Sequence, residues 1–224
     1  GGAGGSIWIT AANVTGSGSL TAIGGTGEAA HGGGGGGGRI SIQCGTNHFS
    51  GSLAAYGGNG WNIGGAGTIF TQTNGQTGLL LVDNGSRAGA ANAICLLSLP
   101  TVADVVISGN AGAAPFGQFN PGNLTIATNS LLSGTLLNSL ALSMAGNLTI
   151  QPGGELLLDS SGYFPGTGPA PGSYYPGNSF YPAGGGGHAG YGAAGSVTNA
   201  TGGPAYGLQT APITFGSGGG NYAT

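Results

Sequence analysis

The chain has 224 residues, of which 55 are glycine, 39% are apolar and only 3% are charged, for a net charge of −3. An ordinary globular surface carries about 25% charged residues, so this chain does not hold its neighbours off with ions. Two arginines and no lysine exclude a phosphate-reading nucleic-acid surface and an anionic-membrane patch. Glycine without a strict triplet period excludes collagen. No apolar run reaches the roughly 18 to 20 residues of a membrane helix.

The first 73 residues write one unit repeatedly. Gly4 to Ile9 (GGSIWI) returns as Gly37 to Ile42 (GGRISI), and Gly18 to Gly25 (GSLTAIGG) returns as Gly51 to Gly58 (GSLAAYGG), both at an offset of 33. The apolar alternation has period two and predicts short strands at Ser6 to Ala11, Ser19 to Ile23, Arg39 to Cys44, Ser52 to Tyr56 and Thr68 to Thr73. Between copies, His31 is followed by seven glycines, Gly32 to Gly38. Ordering such a run costs roughly 4 to 7 kcal/mol more than ordering alanines, so it has to gain something from close backbone approach. Ahead of an Ile-x-Ile strand it reads as a tight corner, with an ordered bundle of polyglycine-type helices as the structural alternative. A phosphate loop is a poor reading, since no lysine or helix signal follows.

From Leu79 to Asp159 glycine thins and aliphatic residues take over. Leu79 to Val82, Ala93 to Leu99 and Val102 to Ile107 read as buried strands, and Asn-Leu-Thr-Ile at 123–126 returns at 147–150, an offset of 24. A helix through Leu96, Leu97, Leu136, Leu137, Leu140 and Leu142 is the minority reading, because Gly and Asn interrupt it. From Gly162 to the end there is no charged residue, and seven of eight tyrosines and seven of eleven prolines gather there. That composition predicts turns and extended, polyproline-type segments.

A unit this small buries no core alone, whereas stacked units share one. The expectation is an all-β, single right-handed parallel β-solenoid over residues 1–161, with glycine-rich corners. Ile7, Ile9, Leu20, Ile40, Ile42, Leu53, Ile69, Leu124, Ile126, Leu148 and Ile150 face inward. A Gly/Pro/Tyr-rich segment, 162–224, packs on that core or on a neighbouring subunit.

Reactive groups are scarce. The three histidines (31, 48, 188) have no metal-ligand spacing, no serine sits in a G-x-S-x-G frame, and Glu155 and Asp159 share no helical face. Asp83, Arg87 and Asp104 form the one gathering of charge and read as a surface ion pair rather than an acid–base set. His188 reads as a loop residue bonded to backbone. The expectation is therefore no enzyme, no cofactor and no metal. Cys44 and Cys95 fit either one disulfide or two free thiols. Asn13, Asn84, Asn123, Asn147 and Asn199 stand in N-x-Ser/Thr sequons, which a chain rich in Asn, Ser and Thr produces largely by chance.

Three stretches carry a resemblance: GGAGGSIWI at 1–9, GGGRISI at 36–42, and the Gly-rich series from GGGGHAGYG to GSGGG between 184 and 220. They resemble the large glycine-rich, parallel β-helix repeat proteins of bacterial surfaces, which have relatives in plants and protists. The resemblance implies an extracellular or cell-surface, structural or adhesive role, and it supplies no catalytic residue.

Function is accordingly expected to be structural: a subunit that assembles with itself, head to tail, into a filament. Gly1, Gly2, Ala3, Ile7, Trp8 and Ile9 would meet Phe215, Gly218 and Tyr222 of the next copy, because the GSGGG tail ends where a GGAGG-x-I strand follows in the resembling family. The absence of an initiating Met fits a processed subunit or a slice of a longer chain. The alternative function is a carbohydrate-binding or adhesin segment, with surface glycans stacked on exposed Tyr and Trp.

Overall fold

The computed structural model describes residues 1–90, 93–99, 102–134, 140–177 and 181–221. Among the described residues every regular element is a strand. The chain divides into two compact units, 1–133 with 142–157, and 134–141 with 158–224.

In the first unit the repeats are the registers of the sheets. β1 (Ser6–Gly16), β3 (Arg39–Phe49) and β5 (Thr68–Thr73) pair in parallel, with Ile7 opposite Ile40 and Ile40 opposite Ile69. β2 (Ser19–Thr21) and β4 (Ser52–Ala54) form a separate pair that sets Leu20 opposite Leu53. β6 (Gly78–Asp83), β8 (Ala103–Ser108), β10 (Leu124–Ile126) and β12 (Leu148–Ile150) are parallel to one another, with Leu124 opposite Leu148. β7 (Ile94–Leu99), β9 (Gly112–Phe119), β11 (Leu131–Ser133) and β13 (Glu155–Leu157) form a parallel four-stranded sheet. Leu96 and Leu97 thus belong to a strand, and Leu136 and Leu137 lie outside the described residues.

The expected single right-handed parallel β-solenoid does not form. β5 and β6 pair antiparallel, with Phe70 opposite Leu80, and the strands divide among a mixed seven-stranded sheet, a four-stranded sheet and a two-stranded sheet. The reversal comes from a β-turn in which the Gln76 N–H bonds the Thr73 carbonyl and Gly75 takes φ +76°. An Asn-Gly pair between two apolar runs is a hairpin signal, and this one lies at Asn74–Gly75. Consequently β1, β3 and β5 run one way through the large sheet, and β6, β8, β10 and β12 run the other.

The two halves also bury opposite faces. Directly opposed residues of an antiparallel pair share a face. Phe70 therefore shares a face with Leu80, and register carries that face back to Ser41 and Trp8 and forward to Val105, Leu124 and Leu148. On the β6 side this is the buried face, with Leu80, Val82, Val105, Ile107, Leu124 and Ile126 all enclosed. On the β1 side the other face is buried, where Ile40, Ile42, Cys44 and Ile69 cluster with Ala22 and Ala55 and are flanked by Ile7, Ile9, Leu20 and Leu53.

That second core is roofed by glycine. The glycine stretches carry no strand, and their backbone hydrogen bonds recur every third residue: Gly1 to Gly33 and Gly4 to Gly36; Gly24 to Tyr56 and Gly27 to Asn59; Gly34 to Asn62 and Gly37 to Gly65. Three residues per turn is the polyproline-type repeat, which leaves amides free to bond laterally. So 33–38 is a straight member of a polyglycine bundle rather than a tight corner. Its composition follows from contact: a methyl group on Gly34 or Gly37 would land on the carbonyl oxygen of Gly58 or Ala55, whereas Gly33 faces open space. The same arrangement builds the second unit, where Gly184 and Gly187 donate to Ser173 and Ala170, and Gly220 and Ser217 donate back to Gly184 and Gly187.

Candidate functional site

The polar side chains that looked capable of chemistry are each committed to the fold. Asp83 accepts from the Gly85 N–H (2.7 Å) and the Ser108 hydroxyl (2.6 Å), and Asp104 accepts from the backbone and side-chain N–H groups of Asn123 (2.8 and 2.9 Å). Arg87 donates to the Gly57 carbonyl (3.1 Å) and lies over the Tyr56 ring, so the surface ion pair expected of these three is absent among the described residues. His188 meets backbone as expected, its N–H donating to the Gly190 carbonyl and its carbonyl accepting from the Tyr206 N–H, while its ring bonds the Thr214 hydroxyl (3.2 Å) and packs on Tyr206. Glu28 caps the turn before the seven glycines, accepting from the N–H groups of Ala30 and His31, and those bonds hold its carboxyl below the usual range. Among the described residues no three His, Cys, Asp or Glu come together as a metal site.

Both cysteines are free. Cys44 is buried in the core beneath the glycine bundle. Cys95 lines a cavity of about 590 Å³ between the glycine backbones and β7; burial pushes its thiol up to about 11, with Arg39 pulling weakly the other way. A thiol held protonated is a poor nucleophile.

Of the sequon asparagines, Asn84 is buried: its Oδ1 accepts from Gly57 and its Nδ2 donates to the carbonyls of Gly64 and Arg87. Asn123 sits between Asp104 and Asn147 in a ladder, accepting the Asn147 N–H (2.9 Å). Asn13, Asn123, Asn147 and Asn199 are exposed.

Like the other two sheets, the large sheet has an unpaired edge on each side among the described residues. β1 ends it on one side and β12 on the other. The Gly5 carbonyl accepts the Arg39 N–H, so odd-numbered residues at the start of β1 bond inward to β3. By alternation the backbone groups of Ser6, Trp8 and Thr10 point out from the edge. On β12, Asn147 accepts from Leu124 and Gln151 donates to Ile126, which turns Leu148 and Ile150 outward. Neither strand carries a charge or a proline. Trp8 is 79% exposed, and Leu148 and Ile150, expected inward, are 41% and 47% exposed, because among the described residues β12 is paired on one side only.

The other residues expected at an assembly contact have partners of their own. Gly1 donates its ammonium to the Gly33 carbonyl (2.7 Å), Gly2 accepts from Gly25, and Ala3 is exposed in the same edge segment of the bundle. In the second unit, Phe215 packs edge-to-face on Tyr163 and its carbonyl accepts the Tyr206 hydroxyl, while Gly218 is buried between Gly172 and Thr167. Tyr222 lies outside the described residues. No protein-family model, no curated protein and no solved structure matches this chain. No helix among the described residues is long and apolar enough to cross a membrane.

Proposed function

We propose that this chain is an extracellular structural protein whose copies join head to tail through the edges of the large sheet and so build a filament. The observation that carries it is the contrast between one motif and its repeat. Leu124 and Ile126 are fully buried, and the same residues one register on, Leu148 and Ile150, are nearly half exposed at an uncharged edge. Unpaired edges of this kind are templates for another strand, and proteins that stay apart blunt them with charge, proline or a bulge. A heterologous contact that does not close into a ring propagates as a filament. The near absence of charge removes the remaining barrier to association. The cell-surface location follows from the resemblance to glycine-rich surface proteins. The glycan-binding alternative would rest on the strongly exposed rings of Trp8 on β1, Trp61 in a loop and Tyr191 in the second unit; the filament reading is preferred because the contrast between β10 and β12 points to a missing strand.

The test is sedimentation velocity and electron microscopy of the chain beside Thr10→Pro. Proline at an outward-pointing amide removes no bond to β3 but blocks the edge. The wild-type mass should rise with concentration into filaments while Thr10→Pro stays near 21.1 kDa. A wild-type chain that remains at that mass throughout would overturn the proposal.

A further inference from the structure

The reversal at β5–β6 supplies a pattern for the contact between copies. At this internal junction an aromatic residue of the β1 half, Phe70, lies directly opposite an aliphatic residue of the β6 half, Leu80. Register relates Phe70 to Ser41 and Trp8, and relates Leu80 to Val105, Leu124 and Leu148. The two open edges therefore present the same two characters again, an exposed aromatic at Trp8 and an exposed leucine at Leu148, and both stand on one face of the sheet.

Polarity is fixed as well. β1 and β12 run in opposite directions through one sheet. A second copy that continues the sheet and keeps its faces on the same sides must set its β1 antiparallel to β12. The backbone groups agree, since those of Trp8 and those of Leu148 both point outward, as an opposed hydrogen-bonded pair requires. Faces agree too: Trp8 would cover the apolar surface that Leu148 and Ile150 leave exposed at the edge.

Resting on the proposed self-assembly, we infer that β12 of one copy pairs antiparallel with β1 of the next, with Trp8 seated against Leu148 as Phe70 is against Leu80. Directly opposed side chains on one face lie close enough to cover each other's apolar area, and a slip of one residue would turn Trp8 away from Leu148, so the pair sets the register of the contact. Each junction repeats the polarity reversal already present inside the chain. The filament would then be a continuous sheet whose strand direction alternates in blocks of three and four, the numbers of strands on either side of the β5–β6 hairpin.

The test uses two single variants that flank the Trp8–Leu148 pair and leave it intact, Ser6→Cys and Gln151→Cys, each in a Cys44→Ala, Cys95→Ala background, mixed one to one and treated with a short bis-maleimide. Both sites are exposed, and circular dichroism checks that each variant keeps the wild-type strand signal. The expected result is a cross-linked dimer from the mixture and none from either variant alone. Filaments that form while the mixture stays uncross-linked, or while Ser6→Cys cross-links with itself, would overturn this junction and leave self-assembly standing. Failure of every form, wild type included, to associate would overturn both.

Discussion

Leu124 and Leu148 are register partners on adjacent parallel strands, yet Leu124 has no exposed surface and Leu148 is 41% exposed. The difference is position: β10 lies between two strands, and β12 has one. Truncation should therefore separate them. Leu124→Ala is expected to destabilise the chain by about 2 to 5 kcal/mol, as buried leucines do. Leu148→Ala should cost the isolated chain less, roughly 1 to 2 kcal/mol, because 41% of its surface is already exposed, while weakening association. Urea unfolding of dilute samples reads the first pair of effects, and sedimentation reads the last.

The glycine bundle makes a sharper contrast. Gly34→Ala puts a methyl group on the Gly58 carbonyl, backbone that cannot swing aside, whereas Gly33→Ala meets nothing. The first should cost at least the roughly 1 to 3 kcal/mol of an overpacked site. The second should be neutral or stabilising by up to about 1 kcal/mol, since alanine restricts the unfolded chain. Thermal melts of the two variants decide it, and equal effects would contradict a three-residue repeat in this segment.

These two sites show what the sequence displayed and what it hid. The registers of Ile7 on Ile40 and of Leu124 on Leu148 were legible because matching side chains at a fixed offset stack in columns. The chain reversal was not, because Asn74–Gly75 is one turn signal among 55 glycines. Nor was the exchange of buried face, which depends on the parity of residues across that one turn. Polyglycine has no side-chain pattern to read, so the bundle remained an alternative to a corner. The exposure of Trp8, Leu148 and Ile150 depends on which strands lie at the margins of the sheet, and no local pattern records that.

The cysteines give a pH test. Cys95 is held protonated to about 11, against 9.0 for an unperturbed thiol. Its folded value is raised, so its contribution to stability is fully present below pH 9 and is lost as pH rises through about 11. Native protein at pH 8 should react far more slowly with an aromatic disulfide reagent than the urea-unfolded chain does. Cys95→Ser should flatten the alkaline loss of stability.

Asn84 joins three backbone groups from separate segments, Gly57, Gly64 and Arg87. Asn84→Ala strands them, at about 1 to 3 kcal/mol for each buried group left unbonded. Expression in a glycosylating host should leave Asn84 unmodified, with any glycan on exposed Asn13, Asn123, Asn147 or Asn199; peptide mapping of the secreted chain checks this.

The central claim is that strand edges join the copies, and the outward amides of β1 report on it most directly. Residue-resolved hydrogen exchange, followed from dilute to concentrated protein, distinguishes amides bonded within the chain from those bonded only between copies. Ile7 and Ile9 should be protected at every concentration, and Ser6, Trp8 and Thr10 should become protected only as the assembly grows. Free exchange at Ser6, Trp8 and Thr10 in samples where the mass has already risen would contradict edge pairing through β1.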